Sequence, residues 1–330
     1  MQPSSTPSAS PAASRPAATD GGQTKCSHIP LRVQLQGCDV GANPIIWSND
    51  DFEELAGDVP LDTILREMKE AGYAGTELGH AYPRTTAALG DALKRHDLRL
   101  VSGWHSTYLA SGDYGVEEAS FRQHLYLLKS LGARVVIVAE CTRCIHGTRE
   151  TALGYGSADR STLSPTEWPL LVTGLRRFAE IAAAENMKLV YHHHMGTVIQ
   201  TEAELDRLLA DAPGLWLLLD PGHLAFAGID PVTVATKHAV RIGHVHLKSV
   251  RTAVADRARR EGWSFCRAVT EGVFTIPGDG CVNFPALFAI LATANYQGWL
   301  VAEAEEDPAK VPALPKARAA RAYVRTHAGV

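Results

Sequence analysis

The run Arg134-Val135-Val136-Ile137-Val138-Ala139, with Glu140 directly after it, reads as a strand buried on both faces. Such near-continuous apolar runs belong to parallel sheets whose two sides are covered. On its N-terminal side, Glu117 to Leu131 has a helical pattern and Gly132 stops it. On its C-terminal side a longer loop rich in Gly, Ser and Thr leads to Ser164, an expected N-cap, and to a helix from Pro165 to about Asn186.

Working outward, the same alternation repeats. Leu31 to Leu35 reads as the first strand. Leu61, Ile64, Leu65 and Met68 fall at helical spacing, and that helix closes at Ala71-Gly72. Gly75-Thr76-Glu77-Leu78 is the second strand, Leu89 to Arg95 a helix and Leu98 to Val101 the third strand. Lys188 to Tyr191 is the fifth strand. Thr201 with Glu204 has the capping-box spacing for the next helix. Leu215–Leu219, Ile242–Leu247 and Trp299–Ala302 supply strands six, seven and eight. Helices are expected over Pro285–Ala294 and Ala309 to about Arg325. Eight strands alternating with helices predict a closed (β/α)8 TIM barrel of class α/β over residues 30–330. An open doubly wound sheet is the rival, but no strand is followed by a Gly-rich phosphate loop.

Residues 1–29 are rich in Ser, Pro and Ala and lack the charged start and apolar stretch of a secretory signal. Their composition predicts a disordered tail. In the chain of 330 residues, 32 Lys and Arg against 36 Asp and Glu give a charge of −4, which argues against a nucleic-acid footprint. No apolar run approaches the roughly 18 residues of a membrane span. Six cysteines in a chain this long read as reduced thiols of a cytoplasmic protein rather than a disulfide framework.

Barrel active sites lie at the carboxyl ends of the strands. Those ends here carry Glu77 and His80, Trp104-His105, Glu140, His192-His193-His194, Asp220 and His223, His244, His246 and Lys248, then Glu303 and Glu305. Any one such residue is more often a cap or a turn residue. Six of the fourteen histidines at the ends of strands five to seven make a collective pattern. Imidazole and carboxylate suit a first-row divalent ion, and a site of this kind leaves positions open to substrate oxygens. Side chains alternate along a strand, so His192 and His194 share one face, as do His244 and His246. Cys141-Thr142-Arg143-Cys144 has C-x2-C spacing, but without a second Cys or His pair at zinc-finger distance ordinary loop thiols are expected. Pro277-Gly278-Asp279-Gly280 is expected to be a turn, with room for a rim role.

Several segments resemble the inosose (2-keto-myo-inositol) dehydratases, members of the xylose isomerase-like barrels. They are Asn43 to Asp50, Gly75 to His80, Val190 to Thr197, Asp220 to Leu224, His244 to Lys248, Phe274 to Gly280 and Glu303 to Glu305. That resemblance covers nearly everything after the tail. It implies one metal, manganese or cobalt, held by Glu, Asp, His and Glu from strands five to eight. By motif the last three are Asp220, His246 and Glu303. The first position departs: His192-His193-His194 stands where relatives carry Glu-x-His, which puts His192 in the ligand slot and His194 toward substrate. Ser249 stands where the dehydratases usually have Asp, and Glu306 where they tend to have Gln.

The reaction so implied is loss of water from a cyclic polyol ketone. A metal-bound ketone acidifies the neighbouring C–H, a base removes that proton, and an acid protonates the departing hydroxyl. Glu140 and Lys248 are the expected proton-transfer residues. Asn43, Trp47, Glu77, His80, Trp104, His105, His194 and His223 are expected around the substrate. A ketose or inosose epimerase on the same barrel is the alternative. A repair phosphodiesterase of the endonuclease IV type would need more ligands and a basic groove, and a non-catalytic sugar-binding protein would have no turnover to lose. No nucleic-acid or membrane partner is expected, and a homo-oligomer is left open.

Overall fold

The computed structural model of the chain describes residues 33–49, 52, 59–155 and 160–330. The tail 1–29 therefore lies outside the described residues. Seven parallel strands come first: β1 (Cys38–Ala42), β2 (Gly75–Leu78), β3 (Arg99–Thr107), β4 (Val135–Glu140), β5 (Lys188–His192), β6 (Trp216–Leu219) and β7 (Ile242–Leu247). A small antiparallel pair, β8 (Ser249–Val250) and β9 (Phe274–Thr275), follows β7. The eighth barrel strand, β10 (Gly298–Ala302), then pairs with β7 and β1 and closes the barrel.

The strand read most readily from sequence shows why the barrel forms. Its alternate residues face opposite ways: Val135 and Ile137 join Val190 and Leu218 in an inner cluster. Val136 and Val138 join the outer cluster packed under the helices. Each fully buried Val or Leu in that outer layer contributes roughly 1.5–3 kcal/mol. The helix Leu61–Ala71 ends at Gly72 with φ +91, and Thr201 and Glu204 form the expected capping box on Glu202–Asp211.

Three expectations shift. Leu31 and Arg32 lie outside the described residues, and Val33–Leu35 are not a strand; the first strand is Cys38–Ala42. Leu35 instead donates its N–H to the Ala328 carbonyl, and Gly37, at φ +72, turns the chain into β1. Asp39 and Gly41 hide this strand from a hydropathy reading. Gly41 is required: a Cβ there would lie 3.1 Å from Val101 Cγ2 and 3.2 Å from the Gly75 carbonyl. The third strand is nine residues long rather than four, running on through Ser102, Gly103 and Ser106. The stretch from Pro165 to Glu167 is a turn rather than helix, so that helix spans Trp168–Ala184. Ser164 Oγ still accepts from Glu167 N–H at 3.3 Å.

After β7 the chain adds helices Thr252–Glu261 and Phe265–Thr270, which sequence periodicity did not mark. With β8 and β9 they build a second apolar cluster that includes Phe226, Val250, Trp263, Phe265 and Phe274. Phe265 and Phe274 lie against His223, with ring centroids at 6.0 and 5.0 Å, so this cluster roofs the carboxyl end of the barrel. Among the described residues no helix is long and apolar enough to cross a membrane.

Candidate metal centre and substrate pocket

Asp220 ends β6 and caps the helix Pro221–Phe226, its Oδ1 accepting from Gly222 N–H at 2.8 Å and His223 N–H at 3.0 Å. This fixes the carboxylate and aims Oδ2 into the barrel mouth. His246, on β7, places Nδ1 3.4 Å from that Oδ2 and 2.5 Å from Oε2 of Glu303, just beyond β10. The contacts are close, yet the angles do not make hydrogen bonds: Asp220 Oδ2, His246 Nδ1 and Glu303 Oε2 are all buried without a hydrogen-bond partner. The three donors lie within 4.8 Å of one another. Buried polar atoms are nearly always paired, so three partnerless ones aimed at one point match the donor set of a divalent cation.

The second nitrogens have partners of their own. His246 Nε2 lies 3.2 Å from Glu77 Oε2; burial works against the imidazolium, but Glu303 at Nδ1 and Glu77 at Nε2 outweigh it and hold this ring well above its ordinary range, and an ion at Nδ1 would take the place of the proton there. Metal-binding imidazoles are characteristically oriented this way by a carboxylate. His192 donates Nδ1–H to its neighbour's carbonyl at 2.7 Å, which turns Nε2 toward Asp220 Oδ2 at 3.4 Å. Glu77 is itself tied down, accepting from His244 Nε2 (2.8 Å), Ser102 Oγ (2.5 Å) and Asn43 Nδ2 (2.8 Å).

Lys248 stands beside these groups, its Nζ 2.5 Å from Glu303 Oε1, 2.5 Å from Glu305 Oε1 and 3.0 Å from His223 Nε2. Burial works against its charge, but Asp220, Glu303 and Glu305 outweigh it and hold the ammonium well above its ordinary range. Burial also works against the Glu77 carboxylate, and His246 and His244 overcome it, holding Glu77 well below. His194 and His223 are driven well below the ordinary imidazole range, first by burial and then by neighbouring cations. Asp220, Glu303 and Glu305 share the Lys248 ammonium, and Glu77 faces His246, so four buried carboxylates stand against two cationic groups, an excess of negative charge that a divalent ion would relieve.

A pocket of about 280 Å³ opens on this cluster, within reach of the usual small-ligand range. Of the residues expected from sequence, Asn43, Glu77, His80, Trp104, His192, His194, His246 and Glu303 line it. Asp220, His223 and Lys248 stand directly behind that lining and are fully buried. Three expectations are corrected. Trp47 is core: it is buried and donates Nε1–H to Glu67 at 2.7 Å. His105 alternates to the outer side of β3, stacking on His124 at 5.3 Å and against Phe121, while Trp104 and Ser106 face the pocket. Glu140 is fully occupied elsewhere, accepting from Thr107 Oγ1 (2.9 Å), Leu109 N–H (3.1 Å), Ala110 N–H (3.3 Å) and Thr142. It anchors the loop after β3 and does not line the pocket.

The pocket also contains residues given no site role from sequence: Ile45, Leu78, Arg84, Ser106, Ile137, His146 and Glu305. Only Glu305, two residues after Glu303, carried a signal, and its Oε2 is buried without a partner. The two departures from the dehydratase pattern are structural. Ser249 accepts from Val282 N–H at 3.2 Å and packs under Gly280. Glu306 pairs with Arg251 at 2.9 Å and Lys316 at 2.8 Å. Asp279 of the Pro-Gly-Asp-Gly turn binds Arg251 and Thr275 rather than the pocket.

The family model described as xylose isomerase-like TIM barrel matches residues 55–327. The inosose dehydratase of Geobacillus thermodenitrificans (strain NG80-2) is 43% identical over 88% of this chain and 97% of its own length. The chain belongs to the inosose dehydratase family. It is an enzyme of the hydro-lyase class. The rhizopine catabolism protein MocC of Rhizobium meliloti is 44% identical, with 87% of each chain covered. Among solved structures, the D-allulose 3-epimerase of Methylomonas sp. superposes with a TM-score of 0.63 at 18% identity, covering 90% of this chain and 99% of its own. The probable 3-DHS dehydratase AsbF of Bacillus anthracis gives 0.62 at 16%, covering 87% and 98%. At those identities the two structures share the fold with this family member and nothing more specific.

Proposed function

We propose that the chain removes water from 2-keto-myo-inositol (scyllo-inosose) to give a trihydroxycyclohexane-1,2-dione, a step of inositol catabolism in the cytoplasm. The barrel acts as one catalytic domain over residues 30–330. The observation that carries this reading is the set of three partnerless buried donors, Asp220 Oδ2, His246 Nδ1 and Glu303 Oε2, at the mouth of a small polar pocket. His192, whose Nε2 lies 3.4 Å from Asp220 Oδ2, is the fourth ligand. The nitrogen and oxygen donors suit manganese or cobalt.

Such an ion supplies Lewis acidity toward a ketone oxygen. The chain's own side chains do the rest. Asn43, His80, Arg84 and His194 meet the ring hydroxyls. Glu305 Oε2, lining the pocket without a partner, takes the proton from the carbon beside the ketone. Lys248, bonded from behind the lining to the other oxygen of that carboxylate, keeps Glu305 anionic, and Glu305 returns the proton to the departing β-hydroxyl, which leaves as water. Phe265 and Phe274 keep bulk water from these charges.

The test is incubation of metal-analysed protein with scyllo-inosose. Dione absorbance should grow, vanish on chelation, and return with manganese or cobalt. An epimeric inosose without dione would make the chain an epimerase, and no product with metal in place would end both readings.

A further inference from the structure

Among the described residues, one chemically distinct cluster lies outside the carboxylate site. Cys141, Cys144 and His146 present two sulfurs and an imidazole nitrogen within 4.8 Å of one another. The sequence reading set the C-x2-C motif aside because it saw no further ligand at zinc-finger distance. The fold supplies that ligand two residues on. Cys144 N–H donates to the Cys141 carbonyl at 3.0 Å, closing a tight turn that brings both thiols to one side. Arg143, inside the turn, adopts φ +54 and is held there by Glu167 (2.6 Å) and the Thr162 carbonyl (3.0 Å).

The segment is braced from below. Ile145 N–H donates to the Gly196 carbonyl at 2.8 Å, and a Cβ at Gly196 would lie 2.9 Å from His146 N. The residue following the triple-histidine segment by two positions is therefore glycine because the cysteine turn rests on it. Both thiols are free in the structure, and Cys144 and His146 are only half-buried, which gives an ion a path in. His146 faces the substrate pocket, its ring 4.8 Å from that of His194.

We propose that Cys141, Cys144 and His146 form a second cation site, specific for a thiophilic divalent ion of the zinc class, in the wall of the substrate pocket. Tetrahedral zinc bonds sulfur at about 2.3 Å and imidazole nitrogen at about 2.0–2.1 Å, which sets ligand atoms roughly 3.5–3.8 Å apart. Closing from 4.8 Å to that spacing requires a movement of at most about 1.3 Å. Three protein ligands leave one position for water or a substrate oxygen. Thiolates select zinc over manganese, whereas the Asp220–His246–Glu303 set holds no sulfur, so the two sites sort ions by donor chemistry. An ion here fixes the turn of the loop after β4 and with it the His146 wall of the pocket.

The experiment titrates metal-free, full-length protein, reduced with a phosphine, with Co2+, followed by absorption and elemental analysis. Cobalt bound by thiolate gives a sulfur-to-metal charge-transfer band in the near ultraviolet, and cobalt on nitrogen and oxygen ligands does not. The wild type should show the band and bind about two ions per chain. Zn2+ should bleach the band. Cys144→Ser should lose it and one ion, while Asp220→Asn should keep it. As a control independent of any variant, Zn2+ should protect Cys144 of the wild type from alkylation. A wild type without the band, a band that survives Cys144→Ser, or no protection by Zn2+ overturns the proposal. A failure of the carboxylate site alone would appear instead as one ion per chain with the band intact.

Discussion

The sharpest consequence of the site geometry concerns Glu77, which lies one layer behind the ligands. Its carboxylate accepts from His246 Nε2, His244 Nε2, Ser102 Oγ and Asn43 Nδ2, and it is 2% exposed. Glu77→Gln keeps the shape but removes the charge and replaces one acceptor oxygen with an NH2 donor. At least one of the four donors then meets another donor, and the proton on His246 Nε2 is no longer held by an anion. Loss of such an orienting carboxylate typically weakens metal affinity 10–100-fold. Because an ion that binds only the folded state stabilises it logarithmically, the stabilisation gained from saturating manganese should shrink by about 1.4–2.7 kcal/mol. The assay compares urea unfolding of each protein with and without the ion, so the variant's own effect on the metal-free fold cancels. Equal metal-induced stabilisation in Glu77→Gln and wild type would refute the role given to His246 Nδ1.

Asp220→Asn keeps an oxygen to cap Pro221–Phe226 but loses the anionic Oδ2. It should retain far-ultraviolet circular dichroism while losing bound metal and turnover; Asp220→Ala should in addition lose about 1 kcal/mol of stability with the cap. Gly222→Ala would place a Cβ 2.5 Å from Lys248 Cγ, and the buried lysine stem must move, so kcat should fall with the fold intact. His105 is held down to about 4, first by burial and then by His124. The unfolded chain therefore binds its proton near 6.5 and the folded chain only near 4, so stability from this group is complete above pH 6.5 and is lost as pH falls toward 4. The total is about 3 kcal/mol, and unfolding of His105→Phe between pH 4 and 7 should show a flatter acid limb.

The parts of the molecule legible in sequence are those where one local signal decides the outcome. Val135–Ala139, Trp216–Leu219 and Trp299–Ala302 are apolar runs, and polar residues that follow such runs in a parallel barrel gather at the depth of its mouth. Strand-end position gathered Asp220, His246 and Glu303 with other polar residues at one mouth, and the resemblance to the dehydratases singled these three out as ligands. Trp47, His105 and Glu140 were misplaced because position after a strand gives depth along the barrel axis but not the side to which a chain points. For His105 the register of β3 decides it, and Ser102 and Gly103 disguise that register. For Glu140 the decision belongs to backbone N–H groups of Leu109 and Ala110, 30 residues away in sequence. His146 and Arg84 enter the pocket from loops, where no periodicity gives direction.

The histidine at the end of β5 has an electrostatic meaning on the proposed ligand set. With glutamate in that slot, as in the wider resemblance, three carboxylates would surround a divalent ion and leave the centre with a net negative charge. With His192 only Asp220 and Glu303 are anionic, so they just neutralise the ion. A less electron-rich ion withdraws charge more strongly from a bound ketone, which favours removal of the adjacent proton. The same substitution weakens the hold on the ion, since a neutral ligand replaces a charged one. Glu77 and Glu305 compensate from one layer back: the first orients and polarises His246, and the second shares Lys248 with Glu303. The negative charge needed to retain the cation is thus moved off the atoms that touch it, under a roof of Phe265 and Phe274 where the low local dielectric strengthens every remaining charge.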